Sequence, residues 1–197
     1  MNGSSETARA LGDQAGVLDI SGVTVRFDGL TALDDVSLTA PPQKVTGIIG
    51  PNGAGKTTLL NVLCGFVRPD AGRLRFDGTD VTGLKPHRLA SLGIARTLQG
   101  VGLFSKLTVL ENVMAGGTCH ARAGFWSALG GLPRSDNDER ALRDSALAAL
   151  ARAGVPDVAE RLPGQLSFAH RKRVALARAL VAKPRLLLLD EPASGLT

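Results

Sequence analysis

The chain has 197 residues, of which 44% are hydrophobic and only 4% aromatic, and a formal net charge of +5. That length holds one sizeable domain with at most a subdomain, packed around an aliphatic core. No apolar run reaches about 18 residues, so no membrane-spanning helix is expected, and residues 1–16 carry no apolar stretch of the kind that marks a secretory signal.

Residues 1–16 are small, polar and charged and read as a flexible tail. Val17–Ile20 and Val23–Phe27 follow as strands, with Val23, Val25 and Phe27 in phase on one face. Asp28-Gly29 signals a turn, after which Leu33–Leu38 pairs back. Val45–Ile49 is a short apolar run with the character of a buried strand. Lys56–Leu63 reads as a helix closed by Gly65 and Pro69. Arg73–Phe76 is a further edge strand with a turn at Asp77-Gly78, and Gly93–Gln99 is a strand ending in Gln99.

From about residue 105 the pattern is helical. Thr108-Val109-Leu110-Glu111 forms a capping box. Residues 116–133 are glycine-rich and irregular. A helix is expected over 136–152, closed by Gly154 and Pro156, and another from about Ser167 to Val181, stopped by Pro184. Leu186–Leu189 is the last strand. The basic run Arg171-Lys172-Arg173 lies inside a helical pattern and reads as a solvated face rather than a nucleic-acid patch. Cys64 and Cys119, the only cysteines, lie outside any C-x-x-C spacing, as free thiols of a reducing compartment would.

Two stretches carry chemistry. Gly50-Pro51-Asn52-Gly53-Ala54-Gly55-Lys56-Thr57-Thr58 fits the phosphate-loop pattern G-x-x-x-x-G-K-[ST], set between an apolar run and a helix as that loop requires. Its glycines let successive backbone N–H groups face inward, and the following helix adds its positive end. Lys56 supplies a point charge for the β and γ phosphates, and Thr57 a hydroxyl for Mg²⁺. Asp190 ends the run of leucines, where an acid of a P-loop enzyme holds Mg²⁺. Glu191 follows as general base or orienter of the attacking water.

In their order these motifs resemble the ATP-binding subunits of ABC transporters, from about Val17 onward. The phosphate loop, Gly93–Gln99, Leu103-Phe104, Leu107–Val113 and the long insertion after Val113 are similar to those of the branched-chain amino-acid importer group. The resemblance implies an α/β fold: a P-loop NTPase core of mixed sheet and flanking helices, an antiparallel β subdomain, and a helical subdomain at about 105–182 within an ATPase domain spanning 17–197. It implies ATP and Mg²⁺ as cofactors. Asn52, Gly53, Ala54, Gly55, Lys56, Thr57 and Thr58 would bind the nucleotide, and Phe27 would stack on adenine. Gln99 would touch Mg²⁺ and the attacking water, and Glu191 and Lys56 would complete the catalytic set. Thr57, Gln99 and Asp190 would hold the metal. Leu103 and Phe104 would line the groove for a membrane subunit or belong to the helical core.

Leu166-Ser167-Phe168-Ala169-His170 corresponds to the family signature L-S-G-G-Q, in which Ser167 would cap the γ-phosphate held by a second subunit. Ala169 and His170 depart from the usual glycine and glutamine. The chain stops at Thr197, before the family's later strand and γ-phosphate histidine, and reads as C-terminally truncated. The implied partners are a second ATPase subunit, identical or not, integral membrane permeases, and a periplasmic or extracellular substrate-binding protein. No nucleic acid is expected. The implied location is the cytoplasmic face of the cell membrane. Two alternatives stand beside this reading: a module that binds nucleotide with little hydrolysis, and a soluble ABC protein without a transport role.

Overall fold

The computed structural model describes residues 17–97, 102–117 and 133–191; of Pro133–Asp136 it describes the backbone alone. The expectations for residues 1–16, Gln99, Cys119, most of the 116–133 stretch and residues 192–197 lie outside the described residues. The chain divides into two compact units, residues 1–92 and 93–197.

The first unit is built on an antiparallel sheet. β1 (Leu18–Phe27) and β2 (Leu30–Ala40) form a hairpin. Its two-residue turn places Asp28 at φ 45° and Gly29 at φ 87°, the left-handed pair that matches the twist of the flanking strands. β3 (Ala71–Phe76) pairs with the other side of β1, and β4 (Thr79–Asp80) with β3, giving the order β2-β1-β3-β4. β3 is therefore an interior strand where the sequence suggested an edge. Leu18, Ile20, Val23, Val25, Leu33, Leu74 and Phe76 are buried. Phe27 leaves the buried face of its strand and is 46% exposed.

α1 (Lys56–Leu63) has the expected bounds and packs on β2 through buried Leu59, Leu60, Val62 and Leu63. A second helix, α2 (Pro86–Ser91), is absent from the sequence reading. Only Leu89 of its six residues is buried, too weak a periodic signal to separate it from a loop.

The expected buried strand at 45–49 does not form. Residues 45–50 make no ladder, and Val45 and Ile49 are almost fully exposed. A buried parallel strand needs pairing and side-chain cover from its neighbours. The run joins neither edge of the four-stranded sheet of this unit, β2 or β4, so it has no ladder partner there.

In the second unit, β5 (Ile94–Arg96) and β6 (Leu186–Leu188) form a parallel pair with Ile94 opposite Leu186 and Arg96 opposite Leu188. Around one apolar cluster pack α3 (Val109–Gly117), α4 (Pro133–Arg152) and α5 (Phe168–Leu180). Val109, Leu110, Val113, Ala146, Leu150, Val174 and Ala177 are its most buried members. α4 begins three residues before the acidic signal at Asp136, with Pro133 in the first helical position, where its missing N–H costs nothing.

The capping box forms as expected. The Thr108 N–H donates to Glu111 Oε2 at 2.7 Å, and the Glu111 N–H donates to Thr108 Oγ1 at 3.2 Å. The backbone bond from Thr108, followed by the hydroxyl bond, holds the Glu111 carboxyl below its ordinary titration range.

Asn112 is fully buried on the core face of α3. Its Oδ1 accepts the Phe104 N–H at 2.8 Å, and its Nδ2 donates to the carbonyls of Phe104, Leu107 and Thr108 at 3.1, 3.1 and 2.8 Å. One amide thus fixes the whole segment entering α3. Asn112→Leu keeps the volume and strands the Phe104 N–H and the Leu107 carbonyl, whereas the Phe104 and Thr108 carbonyls keep the N–H groups of Leu107 and Asn112. Burying such groups without partners costs about 1–3 kcal/mol, and urea unfolding is expected to show a loss of that size. An unchanged midpoint would mean that water replaces the amide.

Candidate functional site

The phosphate loop reaches α1 through Gly53 and Gly55, both at φ 81°. Gly55 is the N-cap of α1. A Cβ there would strike the Ala32 carbonyl oxygen and Leu33 on β2, so both the left-handed backbone and the close approach to the sheet require glycine. A Cβ at Gly53 would meet open space, so there only the left-handed backbone calls for glycine. Asn52, Gly53 and Ala54 are exposed, and Thr57 and Thr58 are half-buried in the first turn of the helix.

Lys56 folds back over the loop. Its Nζ donates to the carbonyls of Gly50 and Pro51, each at 2.6 Å. An ammonium has three N–H donors, so one remains beyond these two bonds. α1 has no side-chain cap and no acid in its first turn, so its leading N–H groups keep their positive end unneutralised. This donor set fits a polyphosphate: backbone N–H groups, a helix dipole, a fixed cation and two hydroxyls, with no carboxylate in the first turn to repel an anion. Phe27, exposed at the end of β1, leaves a ring face on the surface of the same unit.

In the second unit, Asp190 lies two residues beyond the last β6 residue, Leu188. Strand alternation brings it to the same face as Leu188, the partner of Arg96 in the ladder. Arg96 Nη2 donates to Asp190 Oδ2 at 2.9 Å, and the two side chains are 9% and 5% exposed. Asp190 Oδ1 takes no hydrogen bond among the described residues. A buried carboxylate with one anchored and one available oxygen fits the role of holding a hydrated Mg²⁺.

Glu191 turns the chain with φ 46°. Its backbone oxygen accepts from Lys172 Nζ at 3.0 Å, and its carboxylate is exposed and unbonded among the described residues. Lys56 and its neighbours belong to the first unit, and Asp190 and Glu191 to the second.

The expected signature serine is the N-cap of α5. Ser167 Oγ accepts the His170 N–H at 3.2 Å and lies 2.7 Å from His170 Nδ1. Phe168 is exposed, with the Arg171 guanidinium 5.9 Å and the Lys172 ammonium 5.3 Å from its ring centroid. The basic run is therefore not a purely solvated face. Arg171 and Lys172 are half-buried, and Arg173 donates to the Gly154 carbonyl. Leu103 packs against the helical core, whereas Phe104 is exposed.

Two functional candidates escape sequence reasoning. Arg96 finds its acid 94 positions away, beyond any local pattern. Asn112 carries a fainter signal, a polar side chain in phase with Val109 and Val113 on the buried face of a helix.

A family profile described as ABC transporter matches residues 33–194. The chain is 39% identical over 180 residues to the high-affinity branched-chain amino acid transport ATP-binding protein BraF of Pseudomonas aeruginosa, covering 91% of this chain and 71% of that protein. It is 37% identical over 180 residues to LivG of Escherichia coli K12, a protein of the same description, with the same coverage. Among solved structures, a nucleotide-free ATP-binding cassette from an ABC transporter superposes with a TM-score of 0.76 at 33% identity, over 91% of this chain and 70% of that one. A dimeric cassette in a post-hydrolysis state, bound to ADP and Pi, superposes with a TM-score of 0.74 at 28% identity, over 90% and 75%.

The phosphate loop yields a direct test. Lys56→Ala removes the cation and both loop-closing bonds, and calorimetry is expected to show MgATP affinity lowered by about 10²-fold, the scale of losing a charged hydrogen-bond set of about 3 kcal/mol. An unchanged affinity would remove Lys56 from the nucleotide site.

Proposed function

The chain belongs to the ABC transporter family, and from that premise we propose that it is the ATP-binding and ATP-hydrolysing subunit of an importer for branched-chain or other amino acids. The observation that carries the nucleotide part is the phosphate loop: a left-handed glycine turn, an uncapped helix start and a lysine folded over the carbonyls of Gly50 and Pro51. The substrate class follows from the likeness to BraF and LivG.

On this reading the N–H groups of Gly53, Gly55 and Lys56 and the start of α1 hold the phosphates, while the Ala54 N–H closes the loop on the Pro51 carbonyl at 3.3 Å. Lys56 directs its remaining donor to the β and γ oxygens, and Phe27 offers its exposed ring to adenine. Thr57, Asp190 and Gln99 would hold Mg²⁺. That ion, held by these residues, would supply positive charge to offset that of the phosphates. Asp190 is already set for this by Arg96, which engages only one of its oxygens. Glu191 orients the attacking water and accepts its proton; its exposed, unbonded carboxylate is open to a water molecule. Ser167, at the start of α5, would present its hydroxyl and helix N–H groups to the γ-phosphate held by a second ATPase subunit.

Partners follow from the same membership. A second ATPase subunit and membrane permeases would complete the transporter, with a substrate-binding protein on its outer side and this subunit at the cytoplasmic face. Among the described residues no helix is long and apolar enough to cross a membrane, so attachment would run through the permeases.

Glu191→Gln separates binding from chemistry. In the assembled transporter the variant should bind MgATP with near-normal affinity while phosphate release falls by at least about 10²-fold, as for loss of a general base. Turnover close to that of the unsubstituted protein would show that another group activates the water.

A further inference from the structure

The strand that leads toward Gln99 ends in a charge that the motifs leave unexplained. Arg96 is the last residue of β5, and its guanidinium meets Asp190 across the parallel pair at 2.9 Å. Both side chains are buried. The contact is single-point: Nη2 reaches Oδ2, and no hydrogen bond reaches Oδ1 among the described residues. A guanidinium commonly grips a carboxylate with two parallel bonds. Here the second oxygen is left out of the grip.

We propose that Arg96 is a positioning residue for the metal-bearing carboxylate: it fixes Asp190 through Oδ2 and so leaves Oδ1 available to a hydrated Mg²⁺. The inference rests on the reading of Asp190 as a metal ligand. Outer partners of this kind orient the ligand they touch. The strand ladder enforces the pairing, because the Thr97 N–H donates to the Leu188 carbonyl at 3.0 Å and locks the register just below the ion pair. The guanidinium is planar and keeps its charge through the working pH range, so the aim of Asp190 is set before metal arrives.

The test uses Mn²⁺ as the probe, titrated into the ATP-bound protein and followed by electron paramagnetic resonance, beside calorimetry of ATP without metal. Arg96→Gln should weaken Mn²⁺ binding by about 10- to 100-fold, the usual cost of losing an outer partner, with metal-free ATP affinity unchanged. Arg96→Lys keeps the charge without the planar fork and should recover part of the loss. In the double variant with Asp190→Asn, the Arg96→Gln change should add nothing, because Arg96 acts only through Asp190. That double variant also carries no uncompensated buried charge, so it remains informative if Arg96→Gln alone folds poorly.

Unchanged or tighter Mn²⁺ binding in Arg96→Gln, with Asp190→Asn weakened, would overturn the role of Arg96 alone. Additive losses in the double variant would overturn it too. Unchanged Mn²⁺ binding in Asp190→Asn would instead overturn the reading of Asp190 as the metal ligand.

Discussion

A lysine ammonium bonded to two backbone carbonyls is the contact on which the nucleotide site depends. Lys56 stands at the start of α1, and its Nζ returns to Gly50 and Pro51. The chain between them must therefore curl tightly, with Gly53 and Gly55 left-handed and Gly55 pressed against β2 where no Cβ fits. The curl ends at the uncapped start of α1, whose leading N–H groups keep the positive end of the helix. Positive charge collects there without any acid to neutralise it. A polyphosphate is the ligand such a surface suits.

The second unit solves a related problem with the opposite charge. Its parallel pair brings Arg96 and Asp190 together in a buried setting. A buried ion pair contributes little net stability, since desolvation offsets attraction, yet removing one partner leaves a costly uncompensated charge. The value of the pair therefore lies in fixing where a carboxylate points. Asn112 plays the corresponding part at the entry to α3, where a fully bonded buried amide specifies the path of residues 104–108. Both devices spend polar groups inside the protein to define geometry.

Much of this could be read from the residues alone, for reasons that differ by element. The α1 helix, the Asp28-Gly29 hairpin, the capping box and the Ser167 cap are local: each is settled by residues within a few positions, through turn chemistry or hydrogen bonds between near neighbours. The phosphate loop was legible because its backbone demands glycine at fixed spacing. The run at 45–49 misled because apolarity reports a demand for cover and says nothing of a pairing partner, and the run joins neither edge of the sheet of its unit. Arg96 and Asn112 were hidden for the same physical reason. Their partners are fixed by tertiary packing, and a single polar residue in a strand or helix does not announce what it will meet.

The central claim is that the Gly50–Thr58 loop and the start of α1 form the phosphate-binding surface of an ABC ATPase. The most direct measurement is amide hydrogen exchange, resolved by peptide, with and without MgATP. Nucleotide should slow exchange at the amides of Gly53–Thr58, whose N–H groups would then donate to phosphate oxygens, while β3, which carries none of the candidate site residues, exchanges as before. Exchange at Gly53–Thr58 that stays the same at saturating MgATP would contradict the claim.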